Sequence, residues 1–319
     1  MADTPAHRNA GAAPLDFTGE RFTPECAREI WYEHWHRYEF AAALATGRRV
    51  LDAACGEGYG SALLARSAAA VVGIDIDPTA VQHARQRYAG QPHLRFEQGD
   101  CTALTAAESS FDLVVSFETL EHVAAQEALV AGFARVLAAD GLLVISSPDK
   151  RTYSDVTGFR NEFHVRELYR DELLALLQPH FPYLRLYGQK LLFQSAIWSA
   201  ETRGNGPASC ATVSADAGGV EAGLDYDPLY FIAVCSKRPV PDSLLPALAL
   251  FGDREESVYR HYNDEVRRNM AAGGRIAELE AALAAALRER DQARAANADR
   301  VQQRTDLRPW WRRWLGPAR

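Results

Sequence analysis

Val50-Leu-Asp-Ala-Ala-Cys-Gly-Glu-Gly-Tyr-Gly60 decides the fold. A short apolar run, Arg49–Ala54, breaks into a turn with glycines at 56, 58 and 60, and a helical pattern, Gly60–Ala69, follows. Outward from this turn, β and α patterns alternate. Strand Val71–Asp75 leads to helix Pro78–Tyr88, with proline in its first turn, then to strand Leu94–Gln98 and the buried-type strand Phe111–Phe117. Helix Gln126–Ala138 ends before Asp140-Gly141, and Leu142–Ser147 is a fifth strand. Short strands separated by helices imply βαβ crossovers and a parallel sheet covered on both faces. After a helix at Val165–Leu177, two more strand candidates remain, Leu184–Phe193 and Pro228–Cys235. The Gly/Ala/Ser-rich stretch Glu201–Gly223 between them reads as a loop or lid. The expected fold is α/β: a doubly wound, mostly parallel seven-stranded sheet with an N-terminal helical lid and a C-terminal helical extension.

In such sheets ligands bind at the carboxyl ends of strands, where small residues let them approach the backbone. Acids stand at the ends of the next two strands. Asp75 lies 19 residues after Gly56, where a carboxylate can accept hydrogen bonds from a ribose diol. Asp100, in Gln98-Gly-Asp-Cys101, is in position to meet an adenine amino group. A dinucleotide fingerprint would need its third glycine at 61, which is Ser61. The turn also carries Asp52 and Glu57, which suit a ligand with sulfonium and ammonium groups better than a pyrophosphate. No G-x-x-x-x-G-K-[ST] loop is present, which counts against a P-loop nucleotide hydrolase.

Composition sets the frame. The 319 residues are 47% hydrophobic and 24% charged, which excludes wholesale disorder. No apolar run reaches the ~18 residues of a spanning helix, and the N-terminus is too polar for a signal peptide. Five scattered cysteines offer neither a disulfide framework nor metal-ligand spacing, which suits a reducing cytoplasm. The formal charge of −7 is uneven: residues 273–319 carry ten arginines against six acids, leaving −11 on residues 1–272. So acidic a body argues against a broad nucleic-acid-binding surface. The expected layout is a disordered N-terminus (1–16), a lid segment (17–47), a catalytic domain (48–238), a helical connector (239–272), a helix with coiled-coil potential (273–306) and a basic Trp/Arg tail (307–319). In the helix, Ile276, Leu279, Leu283 and Ala286 keep a 3-4-3 spacing that could pair two copies, although two heptads are few. In the tail, Trp310, Trp311 and Trp314 interleave with Arg308, Arg312 and Arg313, a pattern suited to an anionic membrane interface or a protein partner.

LDAACGEGYG, VVGIDID, EQGDC and FDLVVSFETLEHV, in this order, resemble the successive motifs of class I S-adenosylmethionine-dependent methyltransferases, over about residues 48–150. The resemblance implies a Rossmann-like fold and S-adenosylmethionine as cofactor. Asp52, Gly56 and Gly58 would flank its methionine part, Asp75 would bind the ribose hydroxyls, Asp100 and Cys101 would border the adenine, and Glu118 would close the pocket. Ala54 departs from the glycine that many members carry and is expected to be tolerated. FTGERFTPE…IWYEHWHRYEFA and SSPDKRTYSDVTGFRNEFHVREL resemble a bacterial subfamily associated with polysaccharide and O-antigen biosynthesis, whose members are often fused to or placed with glycosyltransferases. That implies O-methylation of a sugar or glycan in the cytoplasm, with contact at the inner face of the plasma membrane as an option. Methylation of a quinone, lipid or other small metabolite, and a non-catalytic scaffold built on a degenerate domain, are the alternatives.

Methyl transfer to a hydroxyl is an in-line displacement that needs alignment and removal of the acceptor proton. His122, beyond the fourth strand, and His164, in Asn161-Glu-Phe-His-Val165, are the candidate catalytic residues, with Asp149 and Tyr153 behind them. Glu20 and Arg21 could seal the cofactor pocket, Arg21 by pairing with the methionine carboxylate. Trp31 and Trp35, near His34 and His36, either stack on a sugar or pack a lid onto the core. A metal site from Asp149, Asp155, Glu162 and His164 is conceivable, but their spacing matches no established ligand pattern, so no metal ligand is assigned.

Overall fold

The computed structural model describes residues 29–202, 209–213 and 219–306. The disordered-terminus expectation, Glu20, Arg21 and the Trp/Arg tail therefore lie outside the described residues. The chain divides into two compact units between Arg254 and Glu255.

In the first unit, α1 (Glu29–Ala45) leads into β1 (Arg49–Ala53), α2 (Tyr59–Leu64), β2 (Ala70–Asp75), α3 (Pro78–Arg87), β3 (Leu94–Gln98) and β4 (Phe111–Ser116). There follow α4 (Gln126–Val136), β5 (Leu137–Pro148), α5 (Arg170–Leu177), β6 (Tyr183–Gln189), the short strands β7 (Ala211–Val213) and β8 (Val220–Ala222), and β9 (Tyr230–Ser236). Seven strands form one sheet in the order β3-β2-β1-β4-β5-β9-β6. β1 to β5 run parallel and β9 is antiparallel to both neighbours, so the sheet is mostly parallel as expected. The order reverses between β1 and β4, the switch point at which open α/β sheets bind ligands.

The strand alternation divides the core into two layers. Leu51, Val114, Leu143 and Ile145 face α4 and α5 through Leu129, Phe133, Leu173 and Leu177. Val50, Leu113, Val115 and Val144 face α1 and α2 through Tyr38, Ala41, Leu44 and Leu64. α1 is thus a core helix; its residues Trp31 and Trp35 stack on each other at 5.2 Å, and Trp31 meets Phe251 at 5.8 Å. α3 begins as its sequence suggests: the Asp77 side chain accepts from Thr79 N at 2.7 Å, and Pro78 follows.

Several elements differ from the sequence reading: α2 ends at Leu64, β5 already begins at Leu137, β6 ends at Gln189, and α1 is core rather than lid. α5 starts at Arg170 rather than Val165, because the amides of Val165 and Arg166 donate to the Glu121 carbonyl at 2.8 and 3.0 Å. The stretch read as a loop or lid contains the β7–β8 ladder. Residues 239–256, read as part of a helical connector, hold a single 3₁₀ turn, Asp242–Leu244, amid Pro239, Pro241 and Pro246, which interrupt helix.

The second unit is α6 (Ser257–Asp306), one uninterrupted helix across the expected 272/273 boundary. Ile276, Leu279 and Leu283 are exposed on it. Among the described residues, no helix is long and apolar enough to cross a membrane.

Candidate active site

The parallel strands bring Ala53, Asp75, Gln98, Ser116 and Pro148 to one edge of the sheet. The antiparallel β9 delivers Tyr230 to the same edge, paired with Pro148 on one side and Gln189 on the other. Among the described candidate cofactor residues, Asp52 and Asp75 lie in the last residues of β1 and β2, and Gly56, Gly58, Asp100, Cys101 and Glu118 follow strand ends.

After β1 the chain enters the left-handed region at Ala54 (φ 60°), Gly56 (φ 55°) and Gly58 (φ 88°). Asp75 ties this turn to β2: one carboxylate oxygen accepts from Gly56 N at 2.8 Å and the other from Asp77 N at 2.9 Å. Each oxygen keeps a further lone pair for a ligand hydroxyl. Asp52 is fully buried, and Ser61 Oγ (2.6 Å) and Tyr38 OH (3.1 Å) donate to it. Burial nonetheless pushes its carboxyl up to about 7. Glu57 turns out to serve the scaffold. It is buried against α3, with Arg87 at 3.2 Å and His83 at 3.3 Å, so its charge is answered within the protein and cannot count toward a cationic ligand. Asp100 is exposed and caps the next turn, accepting from the amide and hydroxyl of Thr102. Cys101 is buried beside it, and desolvation pushes its thiol up to about 12.

Glu118 follows β4 with φ 50°. Ser146 on β5 both donates to its carboxylate (2.6 Å) and accepts from its amide (3.0 Å). Arg37, buried on α1, lies 3.6 Å from the same carboxylate, donates through Nε to Gln189 Oε1 at 2.7 Å, and stacks 4.4 Å over the Tyr230 ring. Its Nη1 is buried with no acceptor among the described residues, a donor that a bound carboxylate could take. Nothing in the sequence reading pointed to Arg37. The available signal was the polar pair Glu33 and Arg37, one turn apart on the stripe that continues as Ala41 and Leu44.

The two candidate catalytic histidines come together. Their rings pack edge to face with centroids 4.9 Å apart. His122 Nδ1 lies 3.1 Å from Phe163 O, and His164 Nδ1 lies 2.6 Å from Glu167 Oε1. Tyr153 stacks on His164 at 5.4 Å and approaches Tyr230 at 5.9 Å. Beneath them Glu121 is buried, and desolvation, reinforced by Glu118, pushes its carboxyl well above the usual range. The acids that the sequence groups with His164 are engaged apart from it: Asp149 accepts from Arg151 N at 3.1 Å, and Asp155 accepts from Tyr169 OH at 2.8 Å. Glu162 is exposed. His34 belongs to the packed helix, and burial holds its imidazole well below its ordinary range.

Residues 51–145 match the family model described as a methyltransferase domain. Over 176 residues the chain is 40% identical to a Mycobacterium tuberculosis protein named "Probable S-adenosylmethionine-dependent methyltransferase"; the match covers 54% of this chain and 63% of that relative. Residues 51–145 are a class I S-adenosylmethionine-dependent methyltransferase domain. The chain thus spans under two thirds of the mycobacterial relative's length. A ubiquinone biosynthesis O-methyltransferase from Cereibacter sphaeroides is 37% identical over 142 residues, covering 44% of this chain and 53% of its own. Among solved structures, a TehB-like S-adenosylmethionine-dependent methyltransferase from Corynebacterium glutamicum is similar with 23% identity and a TM-score of 0.42, covering 64% of this chain and 88% of its own.

The polar groups at this sheet edge suit S-adenosylmethionine. Carboxylates at successive strand ends (Asp75, Asp100, Glu118) can accept from hydroxyl and amino groups, and the buried Arg37 donor suits the one carboxylate that S-adenosylmethionine carries. When bound, the cofactor supplies an electrophilic methyl group on sulfur.

Two predictions follow from the β1 turn of the methyltransferase domain. Ala54 holds a conformation that costs an L-residue roughly 1–2 kcal/mol, partly offset by the lower backbone entropy that alanine loses relative to glycine. Ala54→Gly should therefore raise stability by about 0.5–1 kcal/mol in urea denaturation, and a lower midpoint would contradict the assigned strain. The carboxyl of Asp52 binds its proton up to about pH 7 when folded, against an ordinary value of 3.8. Its contribution is therefore full below pH 3.8 and is lost as pH rises through 7. Between about pH 5.5 and 8 the cofactor-free protein should lose about 2 kcal/mol from this group. Asp52→Asn should flatten that slope in denaturation curves at the two pH values, while an unchanged slope would place the titration elsewhere.

Proposed function

We propose that the chain transfers the methyl group of S-adenosylmethionine to a hydroxyl oxygen of a sugar or glycan. The reading is carried by the pairing of His122 with His164 at the strand-end edge that holds Asp75 and Glu118. A neutral amine attacks through a ready lone pair, whereas a hydroxyl is a weak nucleophile and profits from a positioned base. The O–C bond forms as the C–S bond breaks, the bonding pair stays on sulfur to leave the neutral thioether, and the hydroxyl proton passes to a histidine. Tyr153 with the exposed Phe159 and Phe163 offers flat apolar faces of the kind that pack against sugar rings.

A second reading has a specific observation behind it: the likeness to the ubiquinone biosynthesis O-methyltransferase favours an aromatic hydroxyl. Incubation with S-adenosylmethionine and parallel panels of nucleotide sugars, oligosaccharides and catechol-type quinols separates the two readings by the mass of the methylated product. In cells, surface polysaccharide should lose a methyl increment when the gene is deleted. His122→Ala and His164→Ala should each suppress turnover with little change in cofactor affinity, and full activity in either variant would remove that histidine's role.

A further inference from the structure

Glu121 is the least satisfied charged side chain in the site. Both carboxylate oxygens are buried, with no hydrogen-bond partner among the described residues. An ionised carboxylate here lacks donors, and a protonated one lacks an acceptor for its O–H; either state left so is costly. What surrounds it is a pair of imidazoles. Glu121, His122 and His164 each offer a ligand atom, and the three atoms lie within 4.8 Å of one another, with His122 Nε2 3.8 Å from Glu121 Oε1.

The histidines are held as metal-binding histidines are held. The Phe163 carbonyl can only accept, so His122 Nδ1 carries the proton and Nε2 carries the lone pair. Glu167 fixes His164 through Nδ1 and is itself fixed by Ser154 Oγ at 2.5 Å, a carboxylate–histidine arrangement typical of the outer shell around metal ligands. The remaining His164 nitrogen meets Asn161 Nδ2 at 3.0 Å, and this is the contact an ion would replace. With metal–ligand bonds of about 2.0–2.2 Å, tetrahedral ligand atoms sit about 3.3–3.6 Å apart, so closure draws these atoms together by up to about 1.5 Å.

We propose that Glu121, His122 and His164 bind one divalent transition-metal ion. Two imidazole nitrogens and one carboxylate oxygen suit Zn²⁺, Mn²⁺, Fe²⁺ or Co²⁺ better than Mg²⁺ or Ca²⁺, and three protein ligands leave further coordination positions for an acceptor oxygen. Such an ion would acidify a coordinated hydroxyl and take over the role of a histidine base. That use rests on the O-methylation reading; the binding site does not.

The test uses the full chain, stripped with chelator, dialysed and titrated with Co²⁺ alone. Visible d–d absorption, calorimetry and elemental analysis then report the ion without any acceptor. The expected result is one Co²⁺ per chain, with affinity reduced at least 100-fold in Glu121→Gln and in His164→Ala, and about 10-fold in Glu167→Gln. Circular dichroism and S-adenosylhomocysteine binding establish that each variant is folded. Failure of the folded wild type to bind Co²⁺ stoichiometrically, or equal binding by wild type and the Glu121 and His164 variants, would overturn the proposal. Metal binding without methylation of any hydroxyl acceptor would keep the site and remove the O-methylation reading; chelator-insensitive methylation of a hydroxyl, with no Co²⁺ bound, would do the reverse.

Discussion

Gly60→Ala is expected to destabilise the protein by about 3 kcal/mol and to weaken cofactor binding. A Cβ at this position would lie 2.0 Å from Tyr38 Cζ and within 2.4 Å of both Cε atoms. The ring cannot simply retreat, because it packs edge-on against Tyr59 at 5.1 Å and Phe117 at 5.0 Å. Its hydroxyl also donates to buried Asp52. Overpacking of this kind costs roughly 1–3 kcal/mol, and loss of a bond to a buried carboxylate adds about as much. The discriminating measurement is a double-mutant cycle in urea. In a Tyr38→Ala background the same glycine substitution should be nearly neutral. If the two changes instead add, the clash with Tyr38 is not the reason glycine stands at 60.

Arg37→Met should cost about 3–5 kcal/mol, since it leaves a buried acceptor and an acidic neighbourhood without their cation. Gln189 Oε1 loses its donor, Glu118 loses its ion pair, and buried Glu33 loses the charge that holds down its raised carboxyl, already at about 7. Lysine should not rescue the substitution, because a single ammonium cannot both reach Gln189 and stack flat on Tyr230. Thermal melting of Arg37→Met and Arg37→Lys checks both statements. A lysine variant as stable as the wild type would mean that only the charge matters.

These two residues mark where the sequence was and was not legible. The glycine turn, the strands around it and the acids at their ends could be read because each is a local pattern: a short apolar run, a breaker, a polar residue. His122 and His164 could be named for the same reason, as histidines in the segments that follow strands β4 and β5. Arg37 could not. Its partners Gln189 and Tyr230 come from β6 and β9, and only the antiparallel insertion of β9 between β5 and β6 brings them to the ligand edge. Glu57 misled for a related reason: its position in the turn suggested a ligand contact, while Arg87 on α3 had already claimed its charge. The start of α5 was misplaced because nothing local shows that the amides of Val165 and Arg166 are taken by Glu121. Strand ends were readable; commitments between distant side chains were not.

The proposed reaction is transfer of a methyl group from S-adenosylmethionine to oxygen. Its most direct test is carbon NMR of the product formed by the full chain from S-adenosylmethionine labelled with ¹³C in the methyl group, with the hydroxyl acceptors offered alongside amine acceptors. The label is expected as a methoxy carbon on a sugar or glycan, and Asp75→Ala is expected to abolish the signal together with cofactor binding. Label in an N-methyl or C-methyl carbon would rule out O-methylation, and a chain that binds no S-adenosylmethionine would rule out methyl transfer from it.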